Sequence, residues 1–199
     1  MNKIIKDALI LLVITLVSGV ALGLVYEVTK EPIAKANEEA KQTAYAAVYT
    51  DATFEADEAI AAKVKELGQT YEGALVTEAL VAKDATGAAA GYVLSLTGTK
   101  GYGGAITMTM GVSNDGKVTG LEILEASETA GLGAKCKEPE FKSQFPGKHL
   151  ADPNTLMEVV KGGGASETQV DAINGATITS RAVTAAVNAG LQFVAAIQQ

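Results

Sequence analysis

The chain has no tryptophan, one cysteine, one histidine and four prolines among its 199 residues. Each scarcity excludes something. Cys136 has no second cysteine for an internal disulfide, and Cys136 with His149 is too small a set for a protein-only metal site. No cysteine cluster is available to hold iron and sulfur. A lone histidine gives no Ser/His/Asp arrangement. Gly131-Leu132-Gly133 lacks the third glycine of a dinucleotide fingerprint and opens no helix after a βα unit, and a Gly-Lys-Ser/Thr phosphate loop is missing. Positive charge is also short. Beyond Tyr26 the chain carries 14 Lys/Arg against 22 Asp/Glu, a net of −8. That balance disfavours nucleic acid and anionic lipid headgroups as partners.

What the chain does have begins at its start. Ala8 to Tyr26 contains no charged residue and is rich in Leu, Val, Ile and Ala. As a helix this run spans roughly 28 Å, close to a hydrocarbon core of ~30 Å. It is longer than the apolar part of a cleaved signal peptide, and no clean Ala-x-Ala site follows it, so a retained single-pass anchor is the expectation. Lys3 and Lys6 precede the span. Positive residues at the short end favour a cytoplasmic N-terminus, with the domain that follows outside the membrane.

The expected organisation is an anchor over residues 1–26, connector helices over 27–70 and a folded domain over 71–199. Glu31-Pro32 reads as the start of a polar, Ala-rich helix reaching about Tyr49, either packed on the domain or forming a stalk against partner subunits. Asp57 to Leu67 reads as a short helix stopped by Gly68. The pattern then changes to period two, with strands near 73–82, 89–96, 105–112 and 117–125. Asp84-Ala85-Thr86-Gly87 and Ser113-Asn114-Asp115-Gly116 are hairpin turns. A further strand over 156–161 ends at the break Gly162-Gly163-Gly164. The fold class is α+β: one transmembrane helix, then an antiparallel sheet, a four-stranded meander, with helices packed on it. Glu122, Glu125 and Glu128 form an acidic group; strand alternation puts Glu122 and Glu125 on opposite faces, which reads as a solvated strand end.

Near the C-terminus stands Asp171-Ala172-Ile173-Asn174-Gly175-Ala176-Thr177-Ile178-Thr179-Ser180. Asn174-Gly175 is a strong turn signal. Ile178, Ala182, Val183, Ala186, Val187, Leu191, Val194 and Ile197 follow at helical spacing and read as one apolar face of a helix. Thr177 therefore falls at a helix start, where backbone N–H groups lack intrahelical partners and the dipole is positive. A capping role for Asn174 or Thr177 is one reading; a phosphate site is another.

The ten-residue order resembles the flavinylation motif of the FMN-binding subunits of Rnf complexes and of Na⁺-translocating NADH:quinone oxidoreductases. The resemblance implies FMN joined by a phosphodiester to Thr177, with Asp171 in the sequence read by a flavin transferase that uses FAD and Mg²⁺, and with Asp171, Asn174, Gly175 and Ala176 among the cofactor-binding residues. Asn174 stands where the family more often has Ser or Thr. Two glycine loops extend the likeness. Gly101-Tyr102-Gly103-Gly104 resembles the family's Gly-Tyr-Gly-Gly, with Tyr102 available to stack. Glu128-Thr129-Ala130-Gly131-Leu132-Gly133-Ala134-Lys135 resembles its Glu-Thr-Pro-Gly-Leu-Gly loop, with Ala130 in place of Pro. By that resemblance Thr129 would bond the flavin ring, Leu132 pack on it and Lys135 stabilise its reduced charge, Gly131 and Gly133 would allow close approach, and Glu128 would contact the ring or hold the loop.

The ordered set looks most like the RnfG components of Rnf electron transport complexes. That implies an electron-relay subunit, active only within a membrane ferredoxin:NAD⁺ oxidoreductase coupled to Na⁺ or H⁺ transport. Its partners would be the other membrane and peripheral subunits and the flavin transferase. The alternatives are the equivalent quinone-oxidoreductase subunit and a non-redox membrane anchor.

Overall fold

A computed structural model describes residues 2–150, 152, 155–163 and 166–198. The chain forms two compact units, Met1–Ala40 and Lys41–Gln199.

Helix α1 spans Asn2–Val48. Its apolar part is exposed along its length and has the length and composition to cross a membrane. Within this stretch Thr15 donates its hydroxyl to the carbonyls of Leu11 and Leu12 at 3.0 and 2.9 Å, an arrangement compatible with a hydrocarbon surrounding. The separate helix expected from Pro32 is absent as such, because α1 runs through that residue. A proline inside a helix removes one backbone bond but does not oblige the chain to turn.

The second unit is built on an antiparallel sheet of five strands in sequence order: β1 Thr53–Glu55, β2 Ala74–Lys83, β3 Ala89–Gly98, β4 Ile106–Ser113 and β5 Val118–Ala126. Four of these answer to the meander read from the sequence. β1 adds an edge strand, Thr53 pairing with Lys83 and Glu55 with Val81. Between β1 and β2 lies α2, Glu58–Leu67. Its start is fixed by Asp57, whose carboxylate accepts from the N–H groups of Ala59 and Ile60 at 2.8 and 3.0 Å, satisfying two of the donors a helix start leaves open.

After β5 come a 3-10 turn, Gly133–Lys137, the single-turn helix α3, Pro139–Lys142, and two short strands, β6 Glu158–Val160 and β7 Gln169–Asp171. β6 and β7 form a separate parallel pair. Gly162 and Gly163 lie between them; Gly164 lies outside the described residues. Helix α4, Thr177–Ile197, closes the unit.

Leu94, Leu96, Met108, Met110 and Ile123 point to one face of the sheet and pack against Val183, Val187, Leu191 and Val194 of α4. The opposite face meets the end of α1 through Tyr45, Val48, Val93 and Ala82. Glycines in the sheet permit that second contact: a Cβ on Gly111 would stand 2.6 Å from the Val48 carbonyl oxygen, and one on Gly120 would stand 2.7 Å from Val48 Cα. Thr119 donates its hydroxyl to the same carbonyl at 2.6 Å.

One acidic expectation changes. Glu122 pairs with Thr109 and Glu125 with Thr107, because a bulge lies between Thr107 and Met108 on that ladder. Paired residues share a face, and Thr107 and Thr109 are two apart, so both glutamates lie on one face. Glu122 is held by Lys142 at 2.6 Å, and Glu125 is exposed.

Beneath the end of α1, Glu78 accepts from Lys41 at 3.0 Å and from the Tyr45 hydroxyl at 2.9 Å. Burial alone would raise the Glu78 carboxyl, but the bonds from Lys41 and Tyr45 outweigh it and hold it below its ordinary value. A carboxyl depressed in the folded state adds stability above its unfolded pKa and loses it as pH falls through the folded one. Glu78→Gln should therefore flatten the acid limb of the stability–pH curve below about pH 5 and change little at pH 8 beyond a constant offset. Urea midpoints measured from pH 3 to pH 8 check this; parallel curves for the two chains would remove Glu78 from the acid response.

Candidate functional site

A groove of about 1080 Å³ opens where the start of α4, the β6–β7 pair and the two glycine loops converge. That volume is at the upper end for small-molecule sites. Each wall can be traced to local chemistry.

The floor is the turn from Ile173 to Ala176. Ala176 N–H donates to the Ile173 carbonyl at 2.9 Å, and Gly175 takes φ +76°. Ser180, one turn into α4, fastens this turn from below. Its hydroxyl accepts from Ile173 N–H at 2.9 Å and donates to the Ala176 carbonyl at 3.0 Å. The N-cap of α4 is Ala176, and no side chain caps the helix. The first bond back to the cap runs from Ser180 N–H to the Ala176 carbonyl. Neither Asn174 nor Thr177 acts as a side-chain cap, so the first-turn N–H groups at the groove remain open to an anion.

One wall is set by Glu128, whose exposure is only 9%. One carboxylate oxygen accepts from Gly103 N–H at 2.9 Å, and the other from the Thr179 hydroxyl at 2.6 Å. A single side chain thus joins the 101–104 loop, its own loop and the first turn of α4. Glycine is needed for this approach: a Cβ on Gly133 would lie 2.5 Å from a Glu128 carboxylate oxygen and 2.6 Å from the Thr179 hydroxyl. Leu132 reaches over the floor, its Cδ2 only 3.1 Å from where a Cβ on Gly175 would be.

The opposite wall comes from β6 and β7. Gln144 brackets β7, its amide oxygen accepting from Asp171 N–H at 2.7 Å and its amide nitrogen donating to the Asp171 carbonyl at 3.3 Å. The Asp171 carboxylate accepts from Gly163 N–H at 3.1 Å. Lys161, Gly162 and Gly163 complete this side.

Tyr102, Glu128, Leu132, Asp171, Asn174, Gly175, Ala176 and Thr177 line the groove, as nominated from the sequence. Thr129, Gly131, Gly133 and Lys135 are not among its lining residues. Gly133 is buried behind Glu128, Thr129 and Lys135 lie outside the groove, and the Thr129 carbonyl accepts from Leu132 and Ala134 N–H groups to shape the loop. The structure adds Lys161 and gives Thr179 and Ser180 their positions; Ile178, expected from its spacing to start the buried face of α4, is instead exposed and lines the groove, because it falls on the first turn, outside the part of the helix that the sheet covers.

The groove is apolar where it is open. Outside α1, the large hydrophobic side chains exposed among the described residues are Tyr102, Leu132, Leu156 and Ile178, and three of these four line it. An exposed apolar cluster beside open helix-start amides suits a ligand with a flat apolar part and an anionic end. Behind the wall, burial and then the Glu128 charge push the Cys136 thiol up, which keeps it protonated and unreactive near neutral pH.

Replacing Thr179 by Val keeps the shape and removes the hydroxyl that Glu128 accepts from. A buried carboxylate oxygen left without a donor costs about 1–3 kcal/mol. Thr177→Val, which removes a hydroxyl without a hydrogen-bond partner among the described residues, should stay within about 0.5 kcal/mol. Urea unfolding of both variants checks the contrast; equal losses would mean that the Glu128–Thr179 bond carries no weight.

Comparison with known proteins agrees with this geometry. Residues 101–192 match the family model of the FMN-binding domain, a range that contains every residue lining the groove. Residues 1–48 match the model of the RnfG N-terminal region, which ends where α1 ends. The chain is 36% identical to the G component of the Na⁺-translocating ferredoxin:NAD⁺ oxidoreductase complex of Acetobacterium woodii, over 94% of this chain and 89% of that one. It is 34% identical to the G component of the ion-translocating oxidoreductase complex of Cereibacter sphaeroides, over 93% and 81%. Among solved structures, Shewanella oneidensis NqrC superposes with a TM-score of 0.53 at 29% identity, over 60% of each chain. With an N-terminal match, a domain match and near full-length similarity in one order, the chain belongs to the RnfG family of ion-translocating oxidoreductase (Rnf) complex components.

Proposed function

We propose that this chain is an electron-relay subunit of an Rnf-type ion-translocating oxidoreductase, carrying FMN through a phosphodiester to Thr177. The observation that carries the reading is the division of labour among the three hydroxyls of Thr177-Ile178-Thr179-Ser180. Thr179 is 1% exposed and its hydroxyl is committed to Glu128; Ser180 is fully buried and committed to the turn. Thr177 alone is half-buried, lines the groove and has a hydroxyl with no partner among the described residues. It stands at the open amides of α4, where a phosphate finds donors and the positive end of the dipole.

FMN, when bound, supplies reversible electron uptake; the chain supplies position and electrostatics. Tyr102, Leu132 and Ile178 offer the apolar surface for the ring, and the first turn of α4 meets the phosphate. The groove is open to solvent along this rim, so a non-covalent cofactor would be lost on dilution, and a phosphodiester prevents that loss. No base is needed beside Thr177 if a flavin transferase, with FAD and Mg²⁺, makes the bond. The redox partners are other subunits of the complex, and the coupling ion is Na⁺ or H⁺. α1 anchors the subunit, with its N-terminus in the cytoplasm and the domain on the far side, as Lys3 and Lys6 ahead of the uncharged span suggest. The full-length likeness and the match over residues 1–48 favour this assignment over the quinone-oxidoreductase subunit.

Thr177→Ala should abolish flavin fluorescence that survives a denaturing gel and leave the domain folded, within about 0.5 kcal/mol of the parent. In membranes where the variant has assembled, ferredoxin-dependent NAD⁺ reduction should stop. Retained label, or a peptide map placing FMN on Thr179, would sink the acceptor assignment; full activity of an assembled flavin-free variant would leave only an anchoring role. For topology, a protease added to intact cells stripped of any outer membrane should cut the domain. Cleavage only in inverted vesicles would reverse the orientation.

A further inference from the structure

Once loaded as proposed above, the groove holds two sources of added negative charge: the phosphodiester at Thr177 and, after reduction, the flavin ring. Two electrons and one proton convert the neutral ring to an anion, so the reduced state gains a full charge inside the groove. Two carboxylates, Glu128 and Asp171, already line it. The phosphodiester has its own donors in the uncapped first turn of α4. The ring has none of these.

Among the described residues lining the groove, Lys161 is the one cation. Its backbone is fixed: Val160, directly before it, pairs with Asp171 on the parallel strand, and Ala172 N–H donates to the Val160 carbonyl at 2.8 Å. No ion pair holds its ammonium among the described residues; of the two acids lining the groove, Glu128 accepts from Gly103 N–H and the Thr179 hydroxyl and Asp171 accepts from Gly163 N–H. Lys135, the cation nominated from the sequence, sits on the 3-10 turn and does not line the groove.

Resting on the reading of FMN at Thr177, we infer that Lys161 is a positioning residue that sets the flavin's reduction potential, its ammonium stabilising the anionic reduced ring from the β6–β7 wall while Tyr102, Leu132 and Ile178 contact the apolar part. It takes no part in attachment, which needs only the Thr177 hydroxyl. The interaction is partly solvated, and so it weakens with salt.

The test uses the full-length chain, co-expressed with the flavin transferase and purified in detergent, as wild type, Lys161→Gln, Lys161→Arg and Lys161→Glu. Gel-stable fluorescence reports attachment, and dithionite titration followed by absorbance reports the midpoint potential. All four chains should label to the same extent. Lys161→Gln should lower the ratio of reduced to oxidised flavin at fixed potential by about tenfold, which for a two-electron couple is a midpoint lower by about 30 mV. Lys161→Glu should lower it further, and Lys161→Arg should restore it. The difference between wild type and Lys161→Gln should shrink as salt rises from about 0.05 to about 0.5 M, by roughly the fall in screening length, a response that loss of packing would not give. Equal midpoints in fully labelled chains would overturn the inference and leave the Thr177 reading intact. Reduced labelling with an unchanged midpoint would also overturn it, assigning Lys161 to attachment instead. Absence of label in the wild type would reject both.

Discussion

Glu128 places a buried carboxylate between a glycine loop and the first turn of α4, 51 residues further along the chain. One wall of the groove and the first turn of α4 depend on that position. Its two oxygens are each met by a protein donor, Gly103 N–H and the Thr179 hydroxyl, and it lies at the N-terminal end of α4, where the dipole favours negative charge. A buried charge is tolerable only when its hydrogen bonds are made, and removing one donor costs more than the bond alone was worth. Three segments that have no regular structure in common are thereby committed to one arrangement. The glycines at 101, 103 and 133 are the complement: side chains there would occupy the space that the carboxylate and its neighbours fill.

That arrangement explains the order of hydroxyl residues after the turn. Helical spacing turns position 179 away from 177, and places 180 on the side of 177 but one turn further along the helix. One meets the groove, one meets Glu128 and one closes the turn on itself. A motif that looks redundant as a string is three separate tasks in space. Of the three, only the hydroxyl of Thr177 has no partner among the described residues, and the proposed attachment at Thr177 rests on that difference.

The meander was legible because its signals are local: period two, β-branched residues, and the turns Asp84-Ala85-Thr86-Gly87 before β3 and Ser113-Asn114-Asp115-Gly116 at the end of β4. α2 was legible from Asp57 and Gly68, whose effects reach only one turn. β1 and β7 were not, since three residues carry no periodicity and each exists only through pairing with a distant segment. The same cause hid Lys161. The strand end and glycine break beside it carry no sign of a ligand, and it reaches the groove because β6 pairs with β7, bringing Val160 beside Asp171. Glu125 moved to the face of Glu122 through a bulge that alternation alone does not foresee. In the motif itself, the position of Thr177 was readable from the Asn174-Gly175 turn and the apolar spacing behind it. The roles of Thr179 and Ser180 were not, because they depend on Glu128 and on the backbone of Ile173.

The start of α4 breaks a local rule. Ser, Thr, Asp or Asn at the cap would satisfy donors that Ala176 leaves open, and alanine there forgoes about 1 kcal/mol. The helix tolerates this because most of its length is buried against the sheet, so closely that a Cβ on Gly190 would lie 2.4 Å from the Met110 methyl. The core thus supplies the stability that the missing cap does not. Where local preference and tertiary packing disagree in this way, the exception marks a site under a functional demand. Here the demand is for unoccupied amides beside a free hydroxyl, at the mouth of an apolar groove. A side-chain cap there would have used the amides that the proposed phosphate at Thr177 would meet.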